Sequence, residues 1–178
     1  MFIIPGFLIS IATFPGVIVH ETAHLLFCRM FKVPVYSVCF YQFDNPAGYV
    51  LHGQTNDFKT TFFVSMGPFF LNTLLCVVFC SAAFLPIQVL DVDDPLAYLF
   101  YWFGLSMGMQ AFPSTTDLAH IWELAPAEAK RFNVLAIVSF PIITLLWVLN
   151  YARFFWADLW YGIAVGILGP AALFKALA

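Results

Sequence analysis

The residues of this chain best suited to chemistry are two histidines and a glutamate in the run His20-Glu21-Thr22-Ala23-His24, which has the pattern H-E-x-x-H. On a helix, side chains four residues apart share a face, so both imidazoles can bind one metal ion. Zn²⁺ is typical of this pattern, and the adjacent glutamate can take a proton from a zinc-activated water. The spacing predicts metal-dependent hydrolysis, with His20 and His24 as ligands and Glu21 as the catalytic base.

The surroundings of the motif strengthen this prediction. It lies within an apolar stretch from Phe2 to Phe31. A carboxylate near the centre of a bilayer costs about 2.5–3.5 kcal/mol on insertion scales, so ionisable groups in such a segment indicate function. The alternative, a chance match in a helix, is therefore weaker here than it would be in a soluble protein.

Composition indicates the class of protein. Of 178 residues, 62% are hydrophobic and only 10% are charged, which is too apolar for a soluble domain. We expect an α-helical integral membrane protein that folds as a single membrane-embedded domain over residues 1–178, with the lipid bilayer as its environment. The few basic residues are dispersed, so we expect no nucleic-acid partner.

A membrane-spanning helix needs about 20 mainly apolar residues, and the chain offers about five such stretches. They cover approximately residues 2–31, 61–86, 95–112, 133–150 and 154–177. Pro15 disturbs the first, because proline removes a backbone donor. We expect a kink there, or a fresh helix start capped by Thr13.

The distribution of charge predicts an orientation in the plasma or inner membrane. Basic residues follow the first span, precede the second and lie between the third and fourth, whereas three aspartates occupy the opposite loop. This pattern favours an N-terminus outside and a C-terminus in the cytosol, and only Arg153 disagrees. His24 lies five residues before Arg29, so it should lie roughly 8 Å below the cytosolic boundary at about 1.5 Å per residue. A third ligand must lie on that same side.

Asp117 is the best-placed third ligand, because it follows the predicted cytosolic end of the third span. It also suits a helix N-cap. His120, three residues later on the same helix face, could replace Asp117 as ligand or hydrogen-bond to it, or have no role at the metal. His52 is a further candidate in a predicted strand. Glu123 and Glu128 lie in a polar segment, where solvated acids are the usual interpretation.

The longest non-spanning stretch contains a predicted cytosolic β-hairpin at about residues 35–53. Residues 35–43 are rich in β-branched and aromatic side chains, 45–48 form a turn, and 49–52 resume the strand pattern. Hairpins are marginal alone, so this one must pack on the membrane unit or pair with another segment. A free edge beside a protease site could add the substrate as a strand, or could serve ordinary packing.

The second span carries two unusual features. Gly67-Pro68 is expected to interrupt the helix, and Asn72 places a carboxamide in an apolar segment where it needs a partner. Asn72 could bind the substrate backbone or steady an oxyanion. Adhesion between helices is the alternative.

Together these motifs resemble the site-2 protease family of intramembrane zinc metalloproteases over about residues 14–125. That family carries, in this order, an H-E-x-x-H helix, a β-insert, a helix with Gly-Pro and a nearby Asn, and a Pro-containing turn before an Asp ligand. The resemblance implies that His20, His24 and Asp117 hold Zn²⁺ and that Glu21 is catalytic. It also implies cleavage of a peptide bond in or near a transmembrane helix of a membrane-protein substrate.

The chain departs from the family pattern at two positions. Asn72 stands four residues after Pro68 rather than three, and Asp117 is not followed by glycine. Two alternatives stay open: a different membrane zinc protease with Glu123 or Glu128 as third ligand, and a non-catalytic regulator or chaperone that binds helices. Di-iron lipid desaturases need more than the four histidines present.

Overall fold

The computed structural model describes residues 6–177 and consists mainly of α-helices, with one small antiparallel sheet. The helices are α1 Gly6–Ala12, α2 Phe14–Met30, α3 Phe58–Phe84, α4 Pro95–Met109, α5 Thr115–Lys130, α6 Val134–Ala152, α7 Ala157–Ile163 and α8 Gly169–Leu177. Short π-helical segments extend α3 to Val89 and join α7 to α8. The strands are β1 Val35–Cys39 and β2 Tyr49–His52. The predicted combination of apolar helices and one hairpin is confirmed.

Fewer helices than predicted can cross a bilayer. By length and composition, three helical stretches of the described residues qualify: Phe58–Val89, Val134–Phe155 and Ala157–Ala176. The pair α1 and α2 makes a fourth only if it is counted as one broken span. The sequence estimate of about five is too high because α4 has only 15 residues, short of the roughly 20 that a span needs.

The first apolar stretch breaks at Thr13, where α1 and α2 meet with a bend of 88°. Pro15 lies in the first turn of α2, a position that proline tolerates. The predicted fresh helix start is therefore confirmed. The predicted side-chain cap is wrong, because the Thr13 hydroxyl donates to the Ile9 carbonyl at 2.7 Å. On the other side of the bend, the Trp102 indole N–H donates to the Ala12 carbonyl at 2.9 Å.

Helix α3 runs through Pro68 without the predicted interruption. Asp57 starts the helix by accepting a hydrogen bond from the Thr60 N–H at 2.9 Å. Pro68 is fully buried within the helix. Pro68 has no N–H to donate to the Val64 carbonyl four residues earlier. The helix therefore continues with one carbonyl that has no backbone donor at the usual position.

Small residues let α2, α3 and α4 approach closely. A Cβ atom on Gly16 of α2 would lie 2.0 Å from the Ser106 carbonyl oxygen of α4. On the other face of α4, a Cβ on Gly104 would lie 2.4 Å from the Cys80 sulfur of α3. Cys76 and Cys80 are buried, and their thiols are free, as expected for packing residues.

The hairpin folds back along α2 instead of extending away from its end. Its strands pair antiparallel, with Val35 opposite His52 and Cys39 opposite Tyr49. Gly48 sits so close to α2 that a Cβ there would lie 2.7 Å from Cγ of Glu21. Near the turn, the Tyr41 ring lies 6.0 Å from the ring of Phe14, at the start of α2. The hairpin therefore packs against α2, which is one of the two arrangements expected for it.

The contact between α2 and α4 gives a stability prediction. Gly16→Ala should lower the free energy of unfolding by about 1–3 kcal/mol, because the added methyl meets backbone rather than a movable side chain. Thermal unfolding of the purified protein in detergent measures this change. Gly6→Ala is the matched control, since a Cβ on Gly6 meets nothing within 4 Å. An equal loss in both variants would contradict the close approach.

Candidate metal centre

Three ligand-type side chains meet between α2 and α5. One nitrogen from each of His20 and His24 and one carboxylate oxygen of Asp117 all lie within 4.8 Å of one another, and the group could hold a metal ion. In residues 6–177 this is the one such group of His, Cys, Asp or Glu. The two histidines lie one turn apart on α2, with ring centroids separated by 5.0 Å. Residues distant in sequence are thus brought together as the motif analysis anticipated.

His24 is oriented by a backbone carbonyl of α3. Its Nδ1 lies 3.0 Å from the Val64 carbonyl oxygen, the acceptor that Pro68 leaves without a helical donor. A carbonyl oxygen can only accept, so Nδ1 carries the hydrogen and donates it. In the neutral imidazole, Nε2 then keeps a lone pair, which is the state a metal ligand needs.

His20 is oriented in the same way by the end of α4. Its Nδ1 lies 2.8 Å from the carbonyl oxygen of Gln110, the residue that follows the last helical position. The helix cannot supply the usual donors there. Pro113 has no N–H, and the Ser114 N–H donates to Oδ2 of Asp117 at 2.9 Å. The Gln110 carbonyl, which has no helical donor, therefore accepts from Nδ1 of His20 and leaves Nε2 of the neutral ring with its lone pair.

Asp117 occupies the first turn of α5 and forms a capping box with Ser114. Ser114 is the N-cap, and its hydroxyl accepts from the Asp117 N–H at 3.1 Å. In return, Oδ2 of Asp117 accepts from the Ser114 hydroxyl at 2.6 Å. Asp117 thus takes part in capping from the third helical position rather than as the N-cap. These bonds hold its carboxylate at the side of α2.

The geometry of this group fits a metal ion. Nε2 of His24 lies 3.6 Å from Oδ2 of Asp117. With the Nδ1 hydrogen donated to Val64, the Nε2 lone pair faces the negatively charged carboxylate, and a cation between them would remove their repulsion. Two ligands about 2.1 Å from a tetrahedral ion are roughly 3.4 Å apart, close to the separation found here. Two imidazoles and one carboxylate also form a donor set typical of catalytic zinc.

A cavity of about 490 Å³ opens beside the three ligands. Glu21 lines it, with 8% of the residue exposed. The whole of β2, Tyr49–His52, forms another part of the wall. Ser114 and Thr116, two exposed polar residues, also line the cavity.

The other two histidines lie at this cavity without joining the ligand group. His52 and His120 both line it. Nδ1 of His52 lies 3.0 Å from the Gly53 carbonyl oxygen, which belongs to its own loop. Among the described side chains, no hydrogen bond joins His120 to Asp117, so the proposed link between them stays a prediction.

Asn72 is tied into the helix packing. It is completely buried, and its Nδ2 donates to the carbonyl oxygens of Gly16 at 3.1 Å and Gln110 at 3.0 Å. Both amide hydrogens are therefore used between α2, α3 and α4. This geometry favours the alternative of helix adhesion, since no donor is left to bind a substrate or steady an oxyanion.

Residues that the sequence interpretation missed hold the turn between α4 and α5. The Phe112 carbonyl accepts from Nη2 of Arg153 at 3.3 Å, and the Pro113 carbonyl accepts from Nδ2 of Asn150 at 3.0 Å. Arg153 is the basic residue that disagreed with the predicted orientation, and this contact gives it a local role. The sequence places these carbonyls in the turn before α5, but it gives no signal of which side chains reach them.

The two glutamates considered as third ligands lie outside the group. Glu128 accepts from Nη1 of Arg131 at 2.8 Å and from Nδ2 of Asn133 at 3.1 Å. Glu123 is exposed and lines a separate cavity between α5 and the segment after β2. The carboxylate beside the histidines is that of Asp117.

Comparison of the chain with protein-family models, with curated proteins and with solved structures finds no match. The resemblance to the site-2 protease family stays a prediction from its motifs. The geometry of the ligand group, described above, comes from this chain alone.

The ligand group makes a direct prediction about metal content. Asp117→Ala should lose most of the bound metal, because it removes one of three converging donors, whereas Glu123→Ala should keep it. Elemental analysis of the purified variants after dialysis measures the difference. Equal metal content in the two variants would show that Asp117 is not a ligand.

Proposed function

We propose that this protein is an intramembrane zinc metalloprotease, similar to the site-2 protease family. It hydrolyses a peptide bond in or near a transmembrane segment of a membrane-protein substrate. One observation carries the proposal: the H-E-x-x-H helix and Asp117 converge on one point beside a cavity that Glu21 lines, in a chain dominated by apolar helices. Hydrolysis needs these groups together, and helix packing alone does not.

His20, His24 and Asp117 are the residues that would hold Zn²⁺. Three protein ligands leave one coordination position open, which distinguishes a catalytic zinc site from a closed structural one. Zinc bound there supplies Lewis-acid chemistry, which polarises the scissile carbonyl and makes water more acidic. The hydrogen bonds from Nδ1 of His20 and His24 to backbone carbonyls leave Nε2 of each ring as the nitrogen that would bind the metal.

Glu21 is the proposed general base and then the general acid. Its carboxylate takes a proton from the attacking water as the oxygen adds to the carbonyl carbon. The same proton then passes to the amide nitrogen as the C–N bond breaks, which gives an amine and a carboxylic acid. The acid then releases its remaining proton to water. Its place next to His20 and its contact with the cavity support this role.

The substrate is proposed to enter in an extended form. A two-stranded sheet leaves one edge of β2 without a partner strand, and all four residues of β2 line the cavity. A peptide added along this edge would have its backbone paired while it passes the ligand group. A transmembrane helix pairs its backbone groups internally, so it loses those hydrogen bonds when it unwinds. Pairing with β2 would replace them.

The proposed mechanism is tested by Glu21→Gln. The amide cannot take a proton, so this variant should cleave an apolar, transmembrane-type reporter peptide at least about 100-fold more slowly. It should still bind zinc, because Glu21 is not in the ligand group. Cleavage and zinc content are measured on the same preparation in detergent.

Glu128→Gln is the control, because Glu128 pairs with Arg131 outside the cavity. It should cleave and bind zinc like the parent protein. Unchanged turnover in Glu21→Gln would refute the mechanism. A parent protein that binds no zinc would instead favour the non-catalytic alternative of a helix-binding regulator.

A further inference from the structure

The carbonyl that orients His24 exists as a free acceptor because of one proline in α3. In an uninterrupted helix, the N–H of residue 68 would donate to the Val64 carbonyl. Pro68 has no N–H, and Nδ1 of His24 on α2 lies 3.0 Å from that oxygen. A side chain of one helix thus takes the place of the missing donor in another.

We propose that Pro68 is a positioning residue for the metal group, acting through the Val64 carbonyl to hold His24 in its ligand-ready form. The proposal deepens the proposed function and rests on it only for the identity of the ion. Pro68 itself lies in the helix bundle and lines no part of the cavity beside the ligands.

Asp117 favours the other tautomer of neutral His24, in which Nε2 carries the hydrogen. Oδ2 of Asp117 lies 3.6 Å from Nε2 of His24, so a hydrogen on Nε2 would be drawn to the carboxylate and would block the ligand atom. An unpaired buried carbonyl on the opposite side of the ring favours the tautomer with the hydrogen on Nδ1. In the neutral ring, which carries a single hydrogen, the bond from Nδ1 to Val64 leaves the Nε2 lone pair available for a cation.

The same partnership is not found at other helix prolines. Pro126 and Pro141 also lie inside helices, and they free the carbonyls of Trp122 and Ile137. Across residues 6–177, no side-chain donor is hydrogen-bonded to either carbonyl. Pro68 differs from both because its freed acceptor meets a residue of the ligand group.

The carbonyl that accepts from His20 also lies where helical pairing is broken. The Gln110 carbonyl lies past the end of α4, where Pro113 offers no donor, and it accepts from Nδ1 of His20 at 2.8 Å. Both histidines are therefore anchored to backbone acceptors that a break in helical pairing exposes. Asn72 donates to the Gln110 carbonyl as well, at 3.0 Å, which fixes the position of this acceptor.

The test compares two proline substitutions in the full-length protein. Pro68→Ala restores an N–H that competes for the Val64 carbonyl, and it should weaken zinc binding at least about 10-fold, the usual effect of losing a partner of a ligating histidine. Zinc affinity is measured by competition with a chromophoric chelator. Thermal unfolding of the metal-free variant should change little, because the better helix propensity of alanine offsets the packing lost with the buried proline ring.

Pro141→Ala is the control for the backbone change, because it restores an N–H within α6, another apolar helix, at a proline that is exposed. It should leave zinc affinity unchanged. Wild-type affinity in Pro68→Ala, or equal weakening in both variants, would overturn the proposal. A structural role for Pro68 would instead lower stability and zinc affinity together.

A second measurement tests the hydrogen bond between His24 and Val64 in the parent protein, so it can be made even if Pro68→Ala does not fold. It does not depend on the proposed function. In the parent protein, the Nδ1 proton of His24 is followed by NMR with ¹⁵N-labelled histidine. Slow exchange of this proton with solvent is expected from its bond to Val64, with or without zinc. Rapid exchange would overturn the proposal, whereas a parent protein that shows slow exchange but binds no zinc would refute only the proposed function.

Discussion

Backbone polar groups in an apolar interior need partners, and at this site that requirement also sets the orientation of the ligands. The Val64 carbonyl has no helical donor because Pro68 follows four residues later, and the Gln110 carbonyl lies past the end of its helix. His24 and His20 supply the missing hydrogens from Nδ1. The hydrogen bonds that pair the two carbonyls also leave Nε2 of both rings with a lone pair. The ligand group depends on this arrangement.

The third ligand belongs to the same system of hydrogen bonds. The Asp117 carboxylate takes the Ser114 N–H within its capping box, and this removes a donor that could otherwise reach Gln110. Asn150 and Arg153 hold the following carbonyls of the turn. The position of the carboxylate and the orientation of His20 are therefore coupled through a few backbone atoms between α4 and α5.

The hairpin forms one side of this polar centre. Non-helical backbone at the depth of a membrane helix is tolerated where it is buried in protein or lines a wet cavity. Strand β2 meets this condition, because it forms one wall of the cavity beside Glu21, and Gly48 permits its close approach to α2. Under the proposed function, this wall would serve both as the route for water and as the edge that receives an extended substrate.

Local features could be predicted from the amino-acid sequence: two histidines on one helix face, a glutamate beside them, apolar helices and a hairpin. The distribution of charge also favoured Asp117 as the third ligand. The folded structure was needed to establish the number of candidate spans, the continuity of α3 through Pro68, and the use of Asn72 between helices rather than at the cavity. The spacing of side chains on one helix follows from a fixed geometry. The partner of a free backbone carbonyl does not, because every residue carries the same carbonyl and only long-range packing determines which side chain reaches it.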